Sequence, residues 1–298
     1  MIFKEEYYPE EEMENNPTEV FNTSKPSFNQ DACESVNSEK EEPTPEELLE
    51  KFRNPKYLPT REEILHAFNY DSWNNRCNDR DNQIYEFLNK EFINSLSDYL
   101  SERIEKLGAS ESSPVIILEV GAGDGRLSHF LKERLETGFP NKVKVVATDS
   151  NEWKIKTVLP VEEINSKEAL EKYNPQIVIC SWMPYGEDFT ADFRATKSVQ
   201  EYILIGERAG CCGDEWLTWG IPSFNPEDSM NIEDEDDLTD NDFDFDSEDG
   251  SDEDKVPPYI ADGFDYEGID KVSKNQIAET DQFNDFHHSK TSSFRRKN

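Results

Sequence analysis

One segment of the chain, residues 115–127, constrains its fold more than any other. An apolar run, Val115–Val120, leads into three alternating glycines, Gly121, Gly123 and Gly125, and then into an amphipathic run. Glycine adopts positive φ freely and lets a backbone approach a ligand without interference from a Cβ atom. The segment therefore predicts a buried strand, a tight loop and a helix whose first N–H groups can receive a ligand carboxylate.

After residue 111 the chain alternates between apolar and amphipathic runs. This alternation predicts a mostly parallel sheet with helices on both faces, in which the two last strands pair antiparallel at one edge. The predicted strands are Val115–Val120, Val143–Ala147, Ile155–Leu159, Ile177–Cys180, Tyr202–Ile205, Tyr259–Tyr266 and Lys290–Arg296, and the predicted helices are Arg126–Glu136, Ser166–Lys172 and Ser273–Thr280.

Helical signals precede this sheet. Thr44 and Thr60 each begin a capping box, in which a hydroxyl and a glutamate three residues later satisfy backbone groups at a helix start. Apolar residues then recur at helical spacing from Asn82 to Leu107, which predicts one long helix. The expected domains are N-terminal helices over residues 43–110 and an α/β domain over residues 111–226 and 255–298.

The formal net charge of −35 is concentrated in two segments. Residues 1–50 carry −12 and residues 227–254 carry −16, so the remainder carries only −7. Segments this polar bury too little apolar surface to fold, which predicts a disordered acidic tail over residues 1–42 and a disordered acidic insert over residues 227–254. Binding of naked nucleic acid is disfavoured, because no basic stripe offsets the acidic charge.

The cysteines and the apolar runs bear on the compartment. The five cysteines are an odd number without repeated spacing, and the sequence has no secretory signal and no apolar run of membrane-spanning length. We therefore expect free thiols in a reducing compartment, the cytoplasm or the nucleus, and no membrane partner. The high net charge favours a monomer.

A second chemical feature follows the predicted strand Val143–Ala147. Asp149 stands at its end, where a carboxylate can accept hydrogen bonds from both hydroxyls of a ribose at the neighbouring glycine loop, although a capping role would also explain it. The glycine spacing is G-x-G-x-G and not the G-x-G-x-x-G of dinucleotide-binding folds. A nucleoside without phosphates is therefore favoured over a dinucleotide.

Together with Asp149 and the run Cys180–Pro184, the run Val115–Leu131 resembles the seven-stranded, S-adenosylmethionine-dependent methyltransferases. The resemblance covers residues 112–207 well and residues 255–298 loosely. It implies a Rossmann-like, mostly parallel sheet of seven strands with an antiparallel edge hairpin, and S-adenosyl-L-methionine as the cofactor.

The resemblance also implies roles for individual residues. Glu119 would lie beside the cofactor amino group, and Asp149 would hold the ribose, with Ser150 next to it. The other cofactor-binding positions would be Gly121, Ala122, Gly123 and Gly125 at the methionine part, Val161 and Glu162 at the adenine, and Ser181 at the end of the fourth strand.

The run Ser181–Tyr185 lies where the transferred methyl group would point. In methyltransferases of exocyclic amines and amides, the matching motif begins with Asp or Asn and continues with Pro-Pro and an aromatic residue. Ser181 replaces the acid or amide, so methylation of base or glutamine nitrogens is not expected. Ser181, Trp182 and Tyr185 are the candidate catalytic residues, which would line the substrate-binding site. A strand-ending turn with packed aromatic side chains would explain them equally well.

Other candidate residues are less specific. Cys211–Cys212 and His287–His288 lack partners at metal-ligand spacing, so no metal site is predicted. Methyl transfer from a sulfonium depends mainly on alignment, and a base is needed only for a poor nucleophile. The candidate bases are Glu119, Glu187, Glu207 and His66.

The segment before the long helix contains Trp73, Arg76, Arg80 and Asp81, which would form either a lid over the cofactor or an ordinary surface loop.

Taken together, these features predict methyl transfer to a small-molecule or protein acceptor. Two alternatives remain open. One is a catalytically degenerate methyltransferase fold that acts as an interaction module through its acidic insert, and the other is an NAD-dependent oxidoreductase, which the glycine spacing opposes.

Overall fold

The computed structural model describes residues 43–77, 85–208, 211–222, 256–278 and 288–297. Seven strands in these ranges join in one sheet. In chain order they are β1 (Val115–Val120), β2 (Val143–Asp149), β3 (Glu162–Glu163), β4 (Ile177–Ser181), β5 (Glu201–Glu207), β6 (Phe264–Gly268) and β7 (Ser289–Arg296).

The strands are arranged across the sheet in the order β3-β2-β1-β4-β5-β7-β6. β1 lies parallel to β2 and β4, and β4 lies parallel to β5, whereas β7 runs antiparallel to β5 and β6. The predicted mostly parallel sheet with an antiparallel edge is confirmed. The strand order changes direction between β1 and β4, and ligands of such sheets bind beside the carboxyl ends of the strands at this point.

Helices cover both faces of the sheet, so its apolar strands are buried on each side. The helices are α1 (Pro45–Phe52), α2 (Arg61–Ala67), α3 (Tyr70–Cys77), α4 (Lys90–Lys106), α5 (Arg126–Gly138), α6 (Ser166–Tyr173), α7 (Thr190–Ala195), α8 (Glu215–Trp219), α9 (Pro258–Ala261) and α10 (Asp270–Ser273).

Two apolar clusters form the core, one on each face. Leu100 of α4 and Leu131 of α5 belong to the cluster that contains Ile117 of β1. Leu170 of α6 and Phe193 of α7 belong to the other cluster, on the opposite face. The alternation of side chains along the strands divides the residues between these clusters.

The two predicted capping boxes are present. The Thr44 hydroxyl accepts from the backbone of Glu47, whose carboxylate accepts from the backbone of Thr44, and Thr60 and Glu63 form the same pair of bonds. α1 and α2 begin directly after these threonines. Their apolar faces form a third cluster, whose buried members include Leu48, Ile64, Phe68, Phe87 and Ile277.

The predicted long helix begins later than expected. Its first residue is Lys90, because the side chain of Asn89 accepts from the N–H of Phe92 at 2.8 Å and caps the helix there. Leu88 therefore lies outside the helix although it matches the helical spacing. Residues 78–84, which contain the expected start at Asn82, lie outside the described residues.

The strand predicted over Ile155–Leu159 is wrong. The N–H groups of Val158 and Leu159 both donate to the carbonyl oxygen of Asp124, at 3.1 and 3.2 Å, so they are not available to a strand ladder. Pro160 follows and cannot donate. The strand next to β2 is instead the two-residue β3.

Near the C-terminal end, the predicted strand over Tyr259–Tyr266 starts instead as the short helix α9, and the strand β6 begins at Phe264. The helix predicted over Ser273–Thr280 is wrong in position, since α10 ends at Ser273. The predicted acidic tail and acidic insert lie outside the described residues. Among the helices in the described ranges, none is long and apolar enough to cross a membrane.

Candidate functional site

The carboxyl ends of β1, β2 and β4 place the predicted residues at one edge of the sheet. Val120 of β1 is in register with Thr148 of β2 and with Cys180 of β4. Asp149 and Ser181 end their strands directly after these positions. The glycine loop after β1 therefore lies between Asp149 on one side and Ser181 on the other.

The glycine loop requires its glycines. Gly121, Gly123 and Gly125 have φ of +65°, +53° and +86°, a region that residues with a Cβ atom rarely adopt. A Cβ atom on Gly125 would lie 2.7 Å from Cγ2 of Val161, which is too close. A Cβ atom on Gly121 would meet nothing within 4 Å, so this glycine borders open space in which a ligand can lie against the backbone.

Asp149 is bonded to the glycine loop. Its Oδ2 accepts from the N–H of Gly123 at 2.9 Å, and its Oδ1 accepts from the N–H of Asn151 at 2.7 Å. A carboxylate offers about four acceptor positions, so each oxygen retains one more. These two positions match the two hydroxyls of a ribose, and Ser150 beside them is exposed.

Glu119 is buried behind the loop. Its Oε2 accepts from the N–H of Ser128, the third residue of α5, at 3.0 Å. The helix begins after Gly125, which has no side chain to cap it, so Glu119 supplies the missing cap from the preceding strand. Burial raises the pKa of Glu119 to about 8, and the nearby charges of Asp124 and Asp149 add to this rise.

A Glu119→Gln substitution should change how stability depends on pH. Because the folded-state pKa is raised from its ordinary value of 4.5 to about 8, the folded protein binds more protons than the unfolded chain between these values. Stability from this group is fully present below pH 4.5 and falls as pH rises towards 8, by up to about 1.4 kcal/mol per pH unit.

Urea unfolding of both proteins at a series of pH values measures this effect. The variant should lack the part of the decline that Glu119 causes. The unfolding free energy of the variant minus that of the wild-type protein should therefore increase from pH 4.5 to about pH 8. A Glu163→Gln variant serves as the control, since Glu163 is exposed on β3. Parallel pH profiles for Glu119→Gln and the wild-type protein would contradict the assignment.

The two residues predicted at the adenine have different surroundings. The side chain of Val161 packs against Gly125, directly beside the glycine loop. The carboxylate of Glu162 accepts hydrogen bonds from Lys172 and Tyr173 of α6, and these bonds lower its pKa. Adenine contacts for both residues stay predictions, and Val161 has the more suitable position.

Trp182 adopts an unusual conformation directly after β4. Its φ is +54°, which a bulky residue adopts only when its surroundings compensate for a strain of roughly 1–3 kcal/mol. Three contacts do so: its N–H donates to the carbonyl oxygen of Ile205 at 2.7 Å, its indole Nε1 donates to Oε2 of Glu86 at 3.3 Å, and its ring stacks on Tyr85 with centroids 5.5 Å apart.

Glu86 and Tyr85 are site residues that sequence reasoning missed. Glu86 is buried, and besides Trp182 its carboxylate accepts from Nε2 of Gln276 at 3.3 Å and from the N–H of Ile277 at 3.0 Å. It thus joins the N-terminal part of the chain, the end of β4 and the segment between α10 and β7. An acidic residue between apolar neighbours was the only signal in the sequence.

The other candidates are not gathered with Trp182. Tyr185 is 72% exposed. Glu187 and His66 are also exposed, and Glu119 serves as the helix cap. Glu207 ends β5 and has a buried Oε2 that accepts no hydrogen bond from any described residue. None of these contacts places one of the four candidate bases against an acceptor, so the choice among them stays a prediction.

The remaining candidates are the paired cysteines and histidines and the predicted lid residues. Cys212 is buried, and its sulfur accepts from the N–H of Glu207 at 3.3 Å, whereas Cys211 is exposed. No three His, Cys, Asp or Glu side chains within the described ranges are grouped so that they could hold a metal ion. His287, Arg80, Asp81 and the side chain of Trp73 lie outside the described residues.

A cavity of about 1050 Å³ lies between the N-terminal helices and the segment that follows β2. On one side it is lined by Asp124 and Ile155, and Ile155 lies 3.7 Å from where a Cβ atom of Gly123 would be. On the other side it is lined by Tyr85 and Glu86, which contact Trp182. The cavity therefore adjoins both the glycine loop and the end of β4.

Comparison with known proteins gives similarities of fold alone. No family model and no curated protein matches the chain. Among solved structures, similar ones are the DszA carbon methyltransferase (13% identity, 68% of this chain and 52% of that chain covered, TM-score 0.34) and the CurJ carbon methyltransferase (10%, 68% and 53%, TM-score 0.34). A third is the CMeT domain of citrinin polyketide synthase (11%, 70% and 52%, TM-score 0.36).

The chain spans about half the length of these three structures. The identification of the fold rests on the strand order, the reversed β7 and the loop after β1. These features together give the chain a Rossmann-like, seven-stranded fold, and its antiparallel edge hairpin is the one that the resemblance to methyltransferases implied.

Proposed function

We propose that the protein transfers a methyl group from S-adenosylmethionine to a small-molecule acceptor. The observation that carries this proposal is the carboxylate of Asp149. It accepts a hydrogen bond from the backbone of Gly123, beside the point between β1 and β4 where the strand order changes direction. A carboxylate at this place suits a ribose, and the single-residue spacing of the glycines favours a nucleoside without a pyrophosphate.

The residues present fit the cofactor. The open space beside Gly121 would take the methionine part, and the two remaining acceptor positions of Asp149 would take the ribose hydroxyls. Glu119 lies behind the loop, and the carboxylates of Asp124 and Asp149 lie near it. Of these three groups, Asp149 accepts only from backbone N–H groups, so its negative charge suits a cofactor that carries a sulfonium and an ammonium group.

When bound, S-adenosylmethionine supplies an activated methyl group, whose bond electrons stay with the sulfur as the acceptor atom bonds to carbon. The chain's own residues align the acceptor and exclude water. Trp182 forms a fixed wall at the end of β4, because Glu86 and Tyr85 hold its indole.

Thermal unfolding with two competing ligands tests this proposal. S-adenosylhomocysteine should raise the melting temperature by several degrees, because a ligand at about 100 times its Kd adds about 2.7 kcal/mol to stability. NAD should give no comparable shift. Stabilisation by NAD and not by S-adenosylhomocysteine would favour the oxidoreductase alternative and overturn the proposal.

Turnover separates an enzyme from an interaction module. Incubation with S-adenosylmethionine that is isotopically labelled in its methyl group, together with panels of small molecules, should yield labelled product. Cofactor binding without any transfer across broad panels would support the module alternative.

We propose further that the protein is a monomer and that it acts in the cytoplasm or the nucleus. Sedimentation tests the oligomeric state, and imaging in cells tests the location.

A further inference from the structure

The cavity beside the glycine loop has basic walls, although the protein as a whole is strongly acidic. Two acidic residues line it, and both already have partners. Oδ2 of Asp124 lies 2.7 Å from Nε of Arg126, and Glu86 accepts hydrogen bonds from three groups, including the indole of Trp182. The basic residues that line the cavity are Arg53, Arg76, Arg126, Lys154 and Lys156.

Two of these cations have no opposite charge to balance them. Within the described ranges, neither Lys154 nor Lys156 has an ion-pair partner, and both side chains are exposed at the cavity. Two hydrogen bonds hold the segment that carries them: the N–H of Lys154 donates to the carbonyl oxygen of Asn151 at 3.0 Å, and the N–H of Val158 donates to the carbonyl oxygen of Asp124 at 3.1 Å. The cavity therefore presents two ammonium groups from an anchored segment.

Aromatic side chains line the same cavity. Trp153, directly before Lys154, is 71% exposed, which is unusual for so large an apolar side chain. On the N-terminal side, Phe52 stacks on Tyr57 with ring centroids 6.1 Å apart, and Tyr85 stacks on Trp182. Aromatic faces bind planar groups, so the walls combine flat apolar surfaces with positive charge.

We infer that this cavity binds the methyl acceptor and that the acceptor is a planar organic anion. The inference rests on the proposed methyl transfer, because the cavity adjoins both the glycine loop and Trp182. The negative group would pair with Lys154 and Lys156, and the planar body would lie against Trp153. The cofactor would place its positive charge beside Asp149, whereas the acceptor would place its negative charge beside Lys154 and Lys156, so the two ligands would use different charged groups.

Matched naphthalene probes test this inference, with calorimetry in the presence of saturating S-adenosylhomocysteine. The anionic probes are 2-naphthoate and 2-naphthyl phosphate, which together show whether the site prefers a carboxylate or a phosphate group. The cationic probe of similar shape is 2-naphthylmethylammonium. At least one anion should bind about tenfold more tightly than the cation, and the double variant Lys154→Gln/Lys156→Gln should lose about tenfold in affinity for it.

The double variant Lys142→Gln/Lys167→Gln is the matched control, because it removes the same charge from exposed positions that do not line the cavity. It should bind the anion as the wild-type protein does, and both double variants should retain their affinity for S-adenosylhomocysteine. Equal or tighter binding of the cation, equal losses in the two double variants, or binding of neither anion by protein that binds S-adenosylhomocysteine would overturn the inference. Failure to bind S-adenosylhomocysteine would overturn the proposed function instead.

Discussion

Replacement of Asp149 by alanine should weaken the binding of S-adenosylhomocysteine by about 100-fold or more, since each hydrogen bond to a charged acceptor contributes roughly 1.5–3 kcal/mol. The variant would lose both proposed ribose contacts at once. It also releases the N–H of Gly123, which the Oδ2 of Asp149 holds at 2.9 Å, so the loop is less well organised for the methionine part. Isothermal titration calorimetry measures the change directly.

The control for this prediction is Glu163→Gln. Glu163 is in register with Asp149 on the neighbouring strand, is exposed and carries the same charge. Its removal should leave the affinity nearly unchanged. The prediction is wrong if Asp149→Ala binds with wild-type affinity while its circular dichroism shows a folded protein, because the carboxylate would then have only a capping role.

Replacement of Glu201 by alanine should lower the free energy of unfolding by about 3–5 kcal/mol, the usual cost of breaking a buried ion pair from one side. Glu201 is completely buried at the start of β5. Its carboxylate lies 2.5 Å from Nε of Arg103 and accepts from the hydroxyls of Tyr99 at 2.5 Å and Ser293 at 2.6 Å. The substitution leaves a mostly buried guanidinium without its counter-charge.

A surface ion pair of α4, the helix that carries Arg103, provides the comparison. Oε1 of Glu102 lies 3.0 Å from Nζ of Lys271, and both side chains are about half exposed. Water and salt screen such a pair, so Glu102→Ala should have a much smaller effect in urea unfolding at neutral pH. Equal losses in the two variants would show that Glu201 does not depend on its buried partners.

The sequence predicted those parts of the fold that depend on local signals. The capping boxes at Thr44 and Thr60 and the strand, loop and helix around Gly121 follow from neighbouring residues, and the structure contains them. The strand expected over Ile155–Leu159 failed because its apolar residues serve the cavity and the glycine loop instead of a sheet. Periodicity does not distinguish these uses.

The contacts around Trp182 could not be predicted, because they join distant parts of the chain. Glu86 meets Trp182, which is 96 residues away, and Ile277, which is 191 residues away. Nothing in the spacing of these residues indicates that they meet. The positive φ of Trp182 also has no local signal, since such a conformation depends on contacts from several elements.

The hydrogen bonds of Glu86 have a consequence for the order of folding. The glycine loop and Asp149 lie within 30 residues of each other, whereas the wall at Trp182 requires chain segments that close very long loops. Contacts of long sequence separation carry the larger entropic cost and tend to form late. In pulsed hydrogen exchange during refolding, amides of β1 and β2 should therefore gain protection before the N–H of Ile277 does.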